Sequence, residues 1–176
     1  MAKGPIKLNL GSGHKKLPGF VNVDMSKADS WCKNTPDVVA DIFEKLPFPD
    51  DYADEVHGYH VFEHVVRHKS DAVLRDWIRV LKPGGLLVLE LPCLDKILHL
   101  FNYFIEKDKA PPAHLTLWGL YGDPKWKSDA MYHRWCYSGD ELRGMMEREG
   151  LKVEFAEPQT HQPLRDMRLE GRKCTK

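Results

Sequence analysis

Apolar and polar residues alternate along Ile6-Lys7-Leu8-Asn9-Leu10, and the run stops at Gly11. A period of two that ends in a glycine turn predicts a strand. Phe20-Val21-Asn22-Val23-Asp24 and Asp37-Val38-Val39-Ala40-Asp41 predict two more, with Asp24 and Asp41 at their carboxyl ends. Ala53 to Tyr59 reads as a fourth. Leu46-Pro47-Phe48-Pro49-Asp50-Asp51 before it is a turn, because neither proline can donate to a ladder.

The period then lengthens. Val73, Leu74, Trp77, Ile78 and Leu81 recur at helical spacing, with Ser70 as the expected N-cap and Lys82-Pro83-Gly84-Gly85 as the expected stop. Leu86 to Leu91 is nearly all apolar, as in a strand covered on both faces. Leu94, Ile97, Leu98, Phe101, Phe104 and Ile105 predict a second helix. Residues 106–136 lose all periodicity and mix proline and glycine with His, Trp and Tyr. Ser138-Gly139-Asp140-Glu141 is a capping box that opens a last helix over Leu142, Met145 and Met146, with Gly150 at its end. Leu151 to Phe155 and Met167 to Leu169 alternate as two final strands. Strands alternating with helices predict a mostly parallel sheet with helices on both faces, its ligand beyond the carboxyl ends of the strands.

Composition narrows the function. A chain of 176 residues fits one domain, 1–176, with 106–136 as an insertion that forms a lid or acceptor-binding segment. Lys and Arg number 26 against 26 Asp and Glu, so no global field favours a polynucleotide or an anionic membrane. No apolar run reads as a signal peptide or reaches the roughly 20 residues of a membrane span. Cys32, Cys93, Cys136 and Cys174 form no C-x-x-C pair, which predicts free thiols and a cytoplasmic setting. Oligomeric state is not legible.

Chemistry gathers at the predicted strand ends. Gly11-Ser12-Gly13 lets the backbone approach a ligand and expose its amides, or forms only a tight turn. Asp24 suits two ribose hydroxyls, or is a solvated acid. Asp41 suits an exocyclic amine with Ile42 covering a base, or caps a turn. The order of the three is what an adenosine lying across the sheet requires.

Three further segments carry a resemblance: Leu46-Pro47-Phe48-Pro49-Asp50-Asp51, Glu63-His64-Val65, and Arg79-Val80-Leu81-Lys82-Pro83-Gly84-Gly85 before an apolar strand. With the glycine turn and the two acids, they resemble the class I S-adenosylmethionine-dependent methyltransferases of the small type, over residues 6–95 and again over Tyr137 to Val153. The resemblance implies an α/β, Rossmann-like, doubly wound, mostly parallel seven-stranded sheet with a terminal antiparallel strand. It implies S-adenosylmethionine as cofactor. Asn9, Gly11, Ser12 and Gly13 would meet its methionine part, Asp24 and Met25 its ribose and adenine, Asp41 and Ile42 the adenine edge and face. Tyr59 and His60 would line the sulfonium end. Asp24 follows Gly13 by only eleven positions, too few for a crossover helix, so that helix is expected to be reduced. Asn9 stands where many relatives carry an acid.

The implied reaction moves a methyl group to an oxygen or nitrogen of a small-molecule or sugar-like acceptor. His114, Trp118, Tyr121, Tyr132 and Trp135 are the expected acceptor contacts, with His133 as the catalytic base and no metal. Two alternatives are a zinc hydrolase using His60-Val61-Phe62-Glu63-His64, which matches H-x-x-E-H, and a non-catalytic nucleotide-binding module. Pro92-Cys93 also resembles the cysteine of cytosine-modifying enzymes, although it follows a strand expected to be buried.

Overall fold

The structure, a computed structural model, describes residues 4–13, 16–25 and 35–175. Seven strands run in the order β3-β2-β1-β4-β5-β7-β6. They are β1 (Lys7–Leu10), β2 (Val21–Asp24), β3 (Val38–Val39), β4 (Ala53–Tyr59), β5 (Leu81–Pro92), β6 (Leu151–Ala156) and β7 (Asp166–Lys173). Only β7, the last in the chain, is antiparallel to its neighbours, β5 and β6. Among the described residues four α-helices accompany them: α1 (Arg67–Arg79), α2 (Leu94–Glu106), the short α3 (Leu117–Tyr121) and α4 (Gly139–Arg148).

Register divides the sheet into two unlike faces. Leu10, Gly58, Leu89 and Leu169 lie opposite one another across β1, β4, β5 and β7, and with Leu8, Val56, Leu87 and Met167 they form a continuous apolar surface. Both α1 and α4 pack here. A Cβ on Gly58 would meet Trp77 of α1 at 2.8 Å, and one on Gly171 would meet Met146 of α4 at the same distance. Each fully buried Leu or Met contributes roughly 1.5–3 kcal/mol. The ion pair that also joins the helices, Arg75 to Glu149 at 2.8 Å, is screened by water, so the apolar seam dominates.

The opposite face is polar. Lys7 pairs with Glu55 at 2.8 Å, Glu55 with His57 at 2.9 Å, and the His57 ring with the Tyr59 hydroxyl at 2.8 Å. Asn9 donates to Asn22 at 2.9 Å, and Arg168 joins Glu90 to Glu170. Strand side chains on this face bond to one another, with the Phe20 ring edge-on to His57 at 4.9 Å.

Four local expectations also change. Ser70 is not an N-cap, because α1 begins at Arg67 and Ser70 is buried within it, 2.6 Å from the Tyr137 hydroxyl. Lys82-Pro83-Gly84-Gly85 does not precede β5 but forms an irregularity inside it, where Ala53 pairs with Leu81 and Glu55 with Leu86. Only half of the capping box forms. Ser138 accepts the Glu141 amide at 3.1 Å, while the Glu141 carboxylate turns to Arg67 at 3.0 Å. Within 106–136, short helical turns at Ala113–Leu115, Leu117–Tyr121 and Asp129–Met131 replace the aperiodic loop.

Candidate active site

Strand order reverses between β1 and β4, and a doubly wound sheet binds its ligand in the crevice beyond the carboxyl ends at such a reversal. Gly11-Ser12-Gly13 leaves β1 at that crevice. The Gly11 and Ser12 amides both donate to the Val23 carbonyl, at 2.9 and 3.2 Å, and the Gly13 amide donates to the Asp24 carboxylate at 2.8 Å. The turn and the acid that ends β2 are therefore one bonded unit. Gly11 has φ +68°, and a Cβ there would stand 2.5 Å from Val61 Cγ2 and 3.3 Å from Ile42 Cδ1. Backbone conformation and space both demand glycine.

Met25 lies half exposed beside Asp24. Ser12 is nearly buried in the turn. Asn9 is buried and held by Asn22 on the polar face. The expectation for Asp41 needs correction, because β3 stops at Val39. Asp41 lies beyond it, exposed, its Oδ1 accepting the Phe43 amide at 2.9 Å in a side-chain-capped turn. Ile42 is buried, its carbonyl accepting the Trp77 indole N–H at 2.8 Å, so it forms the floor under the glycine turn. Tyr59 faces His57 and Arg168 on the polar side.

His60, the residue after β4, takes φ +51° and donates its amide to the Glu90 backbone carbonyl at 2.7 Å. That turn aims its ring at two buried carboxylates, Glu63 Oε1 and Asp166 Oδ2, both at 3.2 Å. Burial opposes charge on this imidazole, but the two acids outweigh it and raise its pKa to about 9. Glu63 is likewise penalised by burial and held at about 2 by His60. The contacts have ion-pair distances without hydrogen-bond alignment, and neither Glu63 oxygen has an aligned donor.

A cavity of about 280 Å³ opens beside this group. His60 and His64 reach it from the turn after β4, His114, Trp118, Trp126 and His133 from the 106–136 segment, and His161 and Arg165 from the loop before β7. His133 is held by its Nδ1 to the Gly119 carbonyl at 2.9 Å, and His64 by its Nδ1 to the Tyr132 carbonyl at 3.1 Å. Their rings meet edge to face at 4.9 Å, and His133 Nε2 lies 3.9 Å from Glu63 Oε1. Of the five expected acceptor contacts, His114 and Trp118 line the cavity. Tyr121, Tyr132 and Trp135 expose their side chains elsewhere, Trp135 donating to Glu141 at 3.3 Å.

The H-x-x-E-H motif does not form a helical pair of histidines. Only Phe62–His64 make a 3-10 turn, and His60 stands before it in a left-handed conformation. Glu63 and His64 meet His133 instead, and each can place one ligand atom within 4.8 Å of the others. Their meeting was missed, since no spacing joins His133 to that motif; Asp166, Arg165 and His161 carried no signal at all. Burial leaves Cys93 with a raised pKa, which removes it as a nucleophile.

Comparison with known proteins agrees with this geometry. A methyltransferase domain family matches residues 14–89. The ubiquinone/menaquinone biosynthesis C-methyltransferase of Ectopseudomonas mendocina is 47% identical over 66 residues, covering 34% of this chain and 25% of that protein. The chain thus spans about a quarter of the length of the curated relatives it matches. An S-adenosylmethionine-dependent methyltransferase from Methanosarcina mazei superposes with a TM-score of 0.64 at 16% identity, covering 100% of this chain and 95% of that one. One from Thermotoga maritima gives 0.61 at 16% identity, over 98% and 84%.

The strand order and the structural matches together define a Rossmann-like α/β fold. The chain is similar to the class I S-adenosylmethionine-dependent methyltransferases in its fold and over residues 14–89, and S-adenosylmethionine is the methyl donor of those proteins. Among the described residues, no helix is long and apolar enough to cross a membrane.

Proposed function

We propose that this chain is an enzyme that transfers the methyl group of S-adenosylmethionine to an oxygen or nitrogen of a small-molecule or sugar-like acceptor. One observation carries the reading. The glycine turn bonded to Asp24 and the cavity beside His60 lie at the same carboxyl edge of the sheet. Gly11, Ser12, Gly13, Asp24 and Met25 hold the cofactor, with Ile42 as floor. A bulkier residue at Gly11 would fill that cradle, and a carboxylate at Asp24 matches paired ribose hydroxyls. The bound cofactor supplies an electrophilic methyl on a sulfonium.

The protein's own part is placement. Holding acceptor and donor in line accounts for much of such a rate. The 106–136 segment closes over the acceptor with His114 and Trp118, and His133 is the side chain best placed to meet its reacting atom. At about 280 Å³ the cavity suits a small molecule, and the balanced charge offers a polynucleotide no general attraction. Free thiols at Cys93, Cys136 and Cys174 fit the cytoplasm.

The test is a screen of small hydroxyl and amine acceptors with methyl-labelled S-adenosylmethionine, read by mass spectrometry, beside calorimetry with S-adenosylhomocysteine. Micromolar binding and one labelled acceptor are expected. A product methylated on carbon, as the names of the curated relatives describe for them, would overturn the oxygen-or-nitrogen assignment. A protein that binds no S-adenosylhomocysteine would overturn the whole reading.

A further inference from the structure

Two histidines and a glutamate from distant parts of the chain converge on the wall of the acceptor cavity, and their hydrogen bonds restrict what they can hold. A carbonyl oxygen can only accept. His133 Nδ1 at 2.9 Å from the Gly119 carbonyl, and His64 Nδ1 at 3.1 Å from the Tyr132 carbonyl, must therefore carry the ring protons. In the neutral imidazole this leaves each Nε2 with a bare lone pair. Neither Nε2 has a hydrogen-bond partner among the described residues, and His133 Nε2 points toward Glu63 Oε1 at 3.9 Å. Glu63 is 1% exposed, and neither of its carboxylate oxygens has an aligned donor. Two lone pairs and a buried anion thus face one another with no proton donor between them. His60 at 3.2 Å offsets the charge of Glu63 but is not aligned for a hydrogen bond, so its oxygens and the two Nε2 lone pairs stay unbonded, and a metal cation would satisfy all three at once.

We propose that Glu63, His64 and His133 bind one divalent transition-metal ion, with zinc as the first choice. Imidazole nitrogens with one carboxylate oxygen are the ligand set of open, catalytic-type sites, and a backbone carbonyl on the far ring nitrogen is the support such histidines take. The three ligand atoms lie within 4.8 Å of one another. Donors about 2.1 Å from a tetrahedral ion stand about 3.4 Å apart, so rotations that move the side chains by about an ångström close the set. His60, fixed between Glu63 and Asp166, braces the carboxylate from behind. Three protein ligands leave a coordination position open toward the cavity.

This gives His133 a ligand's role in place of a base's, since a coordinated nitrogen cannot take a proton. The open position would hold an acceptor oxygen or nitrogen and lower its pKa, its proton passing to solvent. That last role rests on the transferase reading. Metal binding itself does not, and it is measured without turnover.

The experiment treats the purified full chain with a chelator and titrates it with Co²⁺, then Zn²⁺, by absorption spectroscopy and calorimetry. One equivalent of Co²⁺ with visible d–d bands, displaced by Zn²⁺, is expected. His64→Ala and His133→Ala should each weaken Co²⁺ binding by about 100-fold or more, while His68→Ala, at an exposed neighbour, leaves it unchanged. Glu63→Gln tests the third ligand. Circular dichroism and S-adenosylhomocysteine binding of His64→Ala check the fold without using the buried acid. No stoichiometric Co²⁺ in the wild type, or equal binding by the wild type and both histidine variants, would overturn the site. Either result leaves the transferase reading intact, because S-adenosylhomocysteine binding reports on that separately.

Discussion

Val61 Cγ2 lies 2.5 Å from the point that a Cβ on Gly11 would occupy. The residue that follows His60 after β4 is therefore packed directly onto the turn that follows β1, and the two carboxyl ends are locked together. Gly11→Ala must displace Val61 and place an L-residue at φ +68°, a strain of roughly 1–3 kcal/mol. Loss of S-adenosylhomocysteine binding by at least about tenfold is expected in calorimetry, with a lower melting temperature. Val61→Ala in the same background should restore part of both, because it removes the colliding methyl groups. Failure of that rescue would place the defect in the backbone alone.

Asp24 joins the glycine turn to β2 through the Gly13 amide at 2.8 Å. Asp24→Ala removes that acceptor together with the proposed ribose contact. Asp24→Asn keeps an acceptor for the amide but loses the charge. The alanine variant should weaken S-adenosylhomocysteine binding by on the order of 100-fold, and the asparagine variant by less. Equal affinity in the wild type and Asp24→Ala would remove Asp24 from the cofactor site.

Much of the fold was legible because its signals are local. Alternation in Ile6 to Leu10 and the helical spacing from Val73 to Ile78 depend on near neighbours, and both elements stand where periodicity puts them. The site divides along the same line. Gly11 to Gly13 and Asp24 are read from strand ends, whereas Asp41 slid into a turn because β3 is only two residues long. The polar face had a visible trace in Lys7, Asn9, Glu55 and His57, each at alternate positions in its strand. The Glu63–His64–His133 convergence depends on how the 106–136 segment folds back, and no short-range pattern encodes that.

Ser70 Oγ and the Tyr137 hydroxyl meet at 2.6 Å in a fully buried position, tying α1 to the segment before α4. Burial pushes the tyrosine pKa up to about 12, so the hydroxyl is neutral at any working pH and must find a partner. Ser70→Ala leaves that hydroxyl unpaired, and Tyr137→Phe leaves Ser70 with only the long contact to the Val66 carbonyl at 3.4 Å. Each single change should cost about 1–3 kcal/mol in urea unfolding. The double variant should cost clearly less than their sum, since it strands neither group. Strict additivity would mean that the pair contributes nothing as a pair.

Glu90 is fully buried in β5, yet four donors surround it. The Gln159 amide reaches Oε2 at 2.9 Å, the Thr160 amide reaches Oε1 at 2.6 Å, the Thr160 hydroxyl bonds Oε1, and Arg168 lies at 3.4 Å. Burial raises its pKa, but these donors, Thr160 foremost, outweigh burial and hold it below the ordinary glutamate value. A carboxylate depressed in the folded state stabilises fully above its unfolded pKa of about 4.3, and the contribution is lost as pH falls through the folded pKa. Glu90→Gln keeps the shape and one acceptor oxygen but no charge. It should be less stable than the wild type by on the order of 1–3 kcal/mol near pH 7. The gap should narrow below about pH 4, as the wild type takes up the proton that the glutamine never needs. Urea unfolding of both proteins near pH 7 and pH 3 checks this, and a gap that stays constant across that range would show that the charge on Glu90 does not hold the loop before β7.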